Sequence, residues 1–132
     1  MTIEVTLPLR IVSEANQRGH WAKGARRAKE QRGTVKLALW ARCERSKGYG
    51  PGLTPQVVTL TRIAPRRLDG DNLQRALKAV RDGVADALSV DDGDARLEWR
   101  YEQAPDLSGI NYALEGSLVK GYGVHIRIEA KP

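Results

Sequence analysis

Between positions 71 and 88 the apolar residues Leu73, Leu77, Val80, Val84 and Leu88 recur at three- and four-residue steps. That period predicts an amphipathic helix, which must bury its apolar side against a second layer of structure. Asp71 or Asn72 can cap its start, because short polar side chains accept hydrogen bonds from the open N–H groups of a first turn. The opposite side carries Asp71, Arg75, Lys78 and Asp82. At about 100° per residue the other three lie within about 40° of the direction of Asp71. A stripe of this kind is ordinarily a solvated face. Here, however, acidic residues gather at both ends of it, at Asp69/Asp71 and at Asp91/Asp92/Asp94.

The rest of the chain supplies the second layer. Ile3, Val5 and Leu7 alternate with Thr2, Glu4 and Thr6, which predicts a half-buried strand over 2–7 ended by Pro8. A polar loop at 13–20 precedes a helix from Trp21 to about Ser46, with Val35, Leu39 and Cys43 four apart and Gly24 and Gly33 placed to delay or break its start. The glycine- and proline-rich stretch 47–55 reads as a connector. Val57, Val58, Leu60 and Ile63 mark a strand over 56–63. A turn at 89–94 leads to a third strand at 97–101, and Val124, Ile126 and Ile128 mark a last one, with His125 and Arg127 on its other face. Residues 103–123 between them read as a long loop or a weak hairpin. The order β-α-β-α-β-β fits a two-layer α/β (α+β) domain, one small mixed sheet with helices on one side. The chain's 132 residues suit a single domain spanning 1–132.

Composition narrows the class. At 41% hydrophobic residues a chain of this length can build a core without cross-links. Its one cysteine, Cys43, excludes an internal disulfide framework and a cysteine-based zinc site. No apolar run approaches the 18 or so residues of a membrane span, and the opening residues are too short and polar for a signal sequence. The expectation is a soluble cytoplasmic protein without a membrane partner. Lys and Arg total 22 against 16 for Asp and Glu, a net of +6, but the excess is local. Residues 1–50 hold 11 basic and 4 acidic side chains (+7), whereas 51–132 hold 11 and 12 (−1). A basic segment of that kind attracts a polyanion by counterion release, nucleic acid first among candidates, although a solvated helix face has the same composition.

Asp69 and Asp71 are two apart at the seam between an extended segment and a helix start, so both carboxylates point to one side, about 6–7 Å apart at Cα. Such a pair can share a hard cation, and all-oxygen ligation favours Mg²⁺ or Mn²⁺ over zinc. The Asp91-Asp92-Gly93-Asp94 cluster would lie about 27 Å away along a straight helix, unless the helix ends early and the chain folds back along it. Both clusters are also good turn-and-cap sequences, and a lone Asp-x-Asp is more often structural than metal-binding. Leu73 stands where a calcium loop needs a ligand. No Walker A loop, dinucleotide fingerprint or His-Glu-x-x-His occurs, and the two histidines, His20 and His125, supply little for histidine-based sites.

The run Arg66-Arg67-Leu68-Asp69-Gly70-Asp71-Asn72-Leu73, a helix with basic residues and then Asp91-Asp92 together resemble the core of the RusA-type Holliday junction resolvases, a family common in phages and prophages. Ser13-Glu14-Ala15-Asn16, followed by Arg18 and His20, is similar to the stretch after the first strand in many relatives. The likeness covers about half of the chain directly. It implies a dimeric, metal-dependent endodeoxyribonuclease that resolves four-way DNA junctions by paired symmetric nicks. It further implies Asp69, Asp71 and Asp92 as metal-binding carboxylates, with Asp91 as the fallback, and a fold that returns the Asp-Asp turn to the site. Some relatives carry lysine where this chain has Arg75, so Lys78, one turn further on, is the expected catalytic lysine and Arg75 its substitute. Residues 104–122 form a longer link than relatives have.

On this expectation Lys78 steadies the attacking water or the charge on phosphorus. Arg18, His20, Lys23, Arg26, Arg27, Lys29, Arg32, Lys36, Arg66, Arg67 and Arg75 supply contacts to backbone phosphates, which position DNA without reading bases. Trp40 and Trp99 fall at periodic, core-like positions, whereas Trp21 beside the basic loop is the one placed to stack on a base. Two other classes fit the same residues: a junction or duplex binder whose acidic groups are only caps and turns, and a nuclease acting on flaps or forks.

Overall fold

Pairing follows from the alternation. In the computed structural model, which describes residues 2–13, 21–42, 50–106 and 121–132, β1 (Thr2–Leu7) lies antiparallel to β4 (Gly123–Ala130) with Ile3 against Ile128, Val5 against Ile126 and Leu7 against Val124. On its other side β4 pairs antiparallel with β2 (Gln56–Ile63), and β2 pairs parallel with β3 (Leu97–Ala104). The four strands thus run β1-β4-β2-β3 across one mixed sheet. A parallel pair cannot be joined by a hairpin, and the helical segment between β2 and β3 supplies the crossover.

One sheet face, built from Ile3, Val5, Val58, Leu60, Ile126, Ile128 and their neighbours, forms a single apolar core with Val35 and Leu39 of α1 (Trp21–Trp40) and with Leu73, Leu77, Val80, Val84 and Leu88. The described α-helices therefore sit on one side, as the periodicity predicts, and among the described residues none is long and apolar enough to cross a membrane. β2, buried along nearly its whole length, lies inside the sheet between β4 and β3.

Three details depart from the sequence reading. The 71–88 helix is two helices, α2 (Gly70–Ala76) and α3 (Lys78–Leu88), meeting at Leu77, whose ψ of 4° leaves the helical range. Hydrogen bonds from Leu77 N to Leu73 O (3.1 Å) and from Arg81 N to Leu77 O (2.9 Å) still span the joint, so the charged stripe runs through. α1 runs unbroken through Gly24 and Gly33 to Trp40, because packing against α3 outweighs the weak intrinsic preference of two glycines. Its expected continuation to Ser46, including Cys43, lies beyond Arg42 outside the described residues. β3 and β4 are longer than expected, and most of the 104–122 link, 107–120, is likewise outside them.

α1 and α3 cross at Gly83. A Cβ there would stand 2.7 Å from the carbonyl oxygen of Arg32 and 2.8 Å from Cβ of Val35. The two backbones touch at this point, which explains a glycine inside a buried helix despite its cost of about 1 kcal/mol. On the far face of the sheet Thr6 and His125 are buried together, sharing a hydrogen bond of 3.1 Å between Oγ1 and Nδ1. Burial pushes the imidazole down from 6.5 to about 4; Arg127 acts in the same direction, and a backbone hydrogen bond with Val5 opposes it.

Two outcomes follow from this packing. Gly83→Ala is expected to lower unfolding free energy by about 1–3 kcal/mol, because one of its close neighbours is backbone that must shift; urea denaturation measures it. For His125 the folded pKa lies below the unfolded one, so the unfolded chain takes up the proton first as pH falls. Its stabilising share is complete above pH 6.5 and declines toward about pH 4. Urea denaturation at several pH values should show a loss of roughly 2–3 kcal/mol across that window that is absent in His125→Gln.

Candidate functional site

The approach to α2 is fixed before the first carboxylate is reached. Arg62, buried on the helical face of β2, donates through Nε to Ile11 O (2.8 Å) and through Nη1 to Arg66 O (2.7 Å). Burial lowers its pKa. From β3, Gln103 pairs with the backbone of Leu68 twice, accepting from Leu68 N and donating to Leu68 O, each at 2.8 Å. Asp69, extended at φ −68° and ψ 166°, then caps α2: Oδ1 accepts from Asn72 N (2.9 Å) and Oδ2 from the Asn72 side chain (3.2 Å). The cap is thus Asp69 and not Asp71 or Asn72, because the helix begins at Gly70. Asp69 and Asp71 are both exposed, and carboxylate oxygens used for capping keep further lone pairs.

The chain then returns. Ser89 takes the left-handed conformation at φ 58°, with Val90 N bonding back to Ala85 O (3.1 Å), and the following turn runs back beside α3. Asp92 thereby reaches Lys78, the first residue of that helix: Nζ of Lys78 lies 2.9 Å from Asp92 Oδ2 and 2.7 Å from Asp82 Oδ1. This reversal shortens the separation of about 27 Å that a straight helix implies, because Asp92 lies at the start of α3 and not beyond its end.

A group that the periodicity does not mark out holds Asp92. Arg81 donates through Nη1 to the Tyr101 hydroxyl and through Nη2 to Asp92 O, both at 2.9 Å, and its guanidinium lies 4.6 Å above the Trp99 ring. Trp99 Nε1 donates to the same Asp92 carbonyl at 2.9 Å. Arg81 Nε approaches Asp92 Oδ2 to 3.0 Å, yet Nε–H has no hydrogen-bond acceptor, so this contact is an ion pair off the donor axis. Arg81 lies off the charged stripe, and its partners come from the following turn, at Asp92, and from β3, at Trp99 and Tyr101. The legible signal was Trp99 and Tyr101 two apart on one strand face. Trp99 is accordingly half-buried under Arg81, at the margin of the core.

The electrostatics follow these contacts. Hydrogen bonds to Asp82 and then Asp92 raise the pKa of Lys78, which stays a cation, and Lys78 and Arg81 hold the Asp92 carboxyl below its usual range. Arg32 is spent on α3, at 2.6 Å and 2.9 Å from the Asp86 carboxylate and 4.0 Å from Asp82. Asp94 binds Arg96 at 2.8 Å, and Arg96 in turn donates to Gly50 O and Leu53 O, which ties the turn to the 50–53 segment. Lys23, Arg26 and Lys29 are exposed on α1, as are Arg66 and Arg67 ahead of Asp69 and Arg75 on α2; Arg27 is half-buried, and Lys36 lies 4.5 Å over the Trp40 ring. Arg18 and His20 lie outside the described residues, as do Glu14, Ala15 and Asn16, and nothing is described of the Trp21 side chain.

These elements enclose a cleft of about 460 Å³ lined by Gln74, Arg75, Lys78, Arg81, Asp92 and Tyr101. Asp71 stands seven residues before Lys78, about 10 Å along the helix axis. Among the described residues no three His, Cys, Asp or Glu side chains gather closely enough to hold a metal ion. The structure brings Asp92 and Lys78 together and leaves Asp69 and Asp71 further along the same helical segment, with Asp91 exposed in the turn. The available donors are carboxylate oxygens throughout, the chemistry of a hard divalent cation.

Replacing Arg81 with methionine is expected to free the Asp92 turn, lowering stability by about 1–3 kcal/mol and shifting Trp99 emission to longer wavelength. Denaturation and fluorescence measure the two effects. No family model matches this chain, and no curated protein matches it.

Proposed function

We propose that this protein is a metal-dependent endodeoxyribonuclease acting on branched DNA, the four-way junction foremost. The observation that carries the reading is the return of Asp92 to the charged stripe at Lys78, beside a cleft also lined by Arg75. Acidic side chains from two separate turns thereby border one helical segment that carries phosphate-binding cations. Asp69, Asp71 and Asp92 are the carboxylates that would hold Mg²⁺, with Mn²⁺ as its substitute, once brought closer than they stand among the described residues, and the ion would supply Lewis acidity at the phosphate.

The chain's own groups do the positioning. Arg75 offers a forked donor to non-bridging phosphate oxygens, and Lys78, held as an ammonium between Asp82 and Asp92, opposes negative charge as it builds. Lys23, Arg26, Lys29, Arg66 and Arg67 hold backbone phosphates without reading sequence, which makes binding strongly salt-dependent. A homodimer would match the two-fold symmetry of a junction, and a cytoplasmic setting gives access to DNA.

A second reading draws on a different observation. Asp92 is already neutralised by Lys78 and Arg81, which suits a DNA-binding protein without turnover. End-labelled junction, fork, flap and duplex, incubated with Mg²⁺, Mn²⁺ or chelator, separate the possibilities. Paired symmetric nicks on the junction, lost in chelator and reduced about a hundredfold or more in Asp71→Asn, are expected. Salt-sensitive binding with no cleavage in either metal would leave the binding protein, and preferential cutting of fork or flap would reassign the substrate.

A further inference from the structure

The close crossing at Gly83 has a counterpart one end along. Toward the start of α1 the helices leave between them a cleft of about 590 Å³, within the size range of small-ligand sites. Its wall is made of small side chains, Ala25, Ala28, Ala76 and Ala79. Four cations line it, Lys29, Arg32, Arg75 and Lys78, against the single carboxylate of Asp82. Arg32 and Lys78 are shared with acidic partners, whereas Lys29 and Arg75 are exposed. Gln31 also lines the cleft although it is only 7% exposed, and its described hydrogen bond, Nε2 to Arg10 O, is long at 3.5 Å. An apolar wall, a cationic rim and a buried amide together suit a flat ring with polar edges attached to an anion.

Arg75 and Lys78 line this cleft and also the cleft beside Asp92. They stand on the ridge between the two. A phosphate seated on that ridge leaves an adjoining base free to enter the alanine-walled side, with its polar edge toward Gln31. We propose that this second cleft receives one unpaired nucleotide of a DNA strand whose phosphate sits on Arg75 and Lys78. The assignment rests on the proposed function for the identity of the strand and extends it to the unpaired part of the substrate. A neutral apolar peptide would fit the wall but would leave the exposed cations Lys29 and Arg75 without an anion.

Binding in chelator tests this apart from cleavage. The probes are a single-stranded oligonucleotide carrying one 2-aminopurine, the same strand in duplex, and deoxyadenosine monophosphate. Ala28 is exposed and Ala79 half-buried, and leucine suits a helix, so Ala28→Leu/Ala79→Leu fills the cleft without replacing a cation. Ala28→Leu alone serves if the double variant unfolds. Wild type should change 2-aminopurine fluorescence on binding. The filled variant should lose that change and bind the single strand about tenfold or more weakly, with duplex affinity held within about twofold, as for loss of one stacked base. Equal single-strand affinity in wild type and filled variant would overturn the assignment. So would a variant effect confined to the free mononucleotide, or dimers in sedimentation that the filled variant abolishes. Junction cleavage failing while the single-strand effect persists would remove the nuclease reading alone.

Discussion

The parallel pairing of β2 and β3 governs the arrangement of this molecule. Two parallel neighbours require a crossover that starts at one end of the sheet and is brought back to the other. The chain meets that demand with α2 and α3 going out and the 89–96 turn coming back. The same excursion carries every acidic residue that the sequence marks out. Had β3 paired antiparallel with β2, a short hairpin would have sufficed, and Asp92 would have had no reason to pass Lys78. A topological requirement of the sheet thus creates the place where Asp92 meets Lys78 and Arg81.

What keeps that place in order is mixed chemistry. Arg81 is packed on an indole, bonded to a phenol and a carbonyl, and paired with a carboxylate, all at once. No single contact there is strong in water, but together they leave the guanidinium little freedom and define the turn that presents Asp92. Lys78 contributes differently: more than half of its side chain is open to solvent, and its two acidic partners hold it as a charge without enclosing it.

Much of this was legible in the residues. Strict alternation ended by Pro8 places β1 to the residue, and the apolar run at 56–63 places β2, because side-chain period and a breaker are local signals. The charged stripe of the second helical segment was equally plain. The joint at Leu77 was not, since leucine is a good helix former and the break is a matter of backbone angle. Gly24 and Gly33 misled for the opposite reason: local preference gave way to packing against α3. The roles of Arg81 and Gln103, and the bond of Arg62 to Ile11, are not legible locally because these partners lie 11 to 51 positions away, and Arg32 reads as a phosphate contact because its ion pair with Asp86 spans 54 positions.

β3 carries both anchors of the acidic segments. Gln103 clamps the residue before Asp69, and Trp99, four positions earlier on the same face, clamps Asp92. At roughly 3.3 Å per residue the strand therefore sets about 13 Å between its two grips, so the spacing of the carboxylate groups is gauged by backbone rise rather than by helix length. A slip of two residues in the pairing of β3 with β2 would preserve which side chains face the helices. It would nonetheless displace both grips by about 6–7 Å relative to the rest of the sheet. The register of one edge strand is in this sense the calibration of the whole charged face.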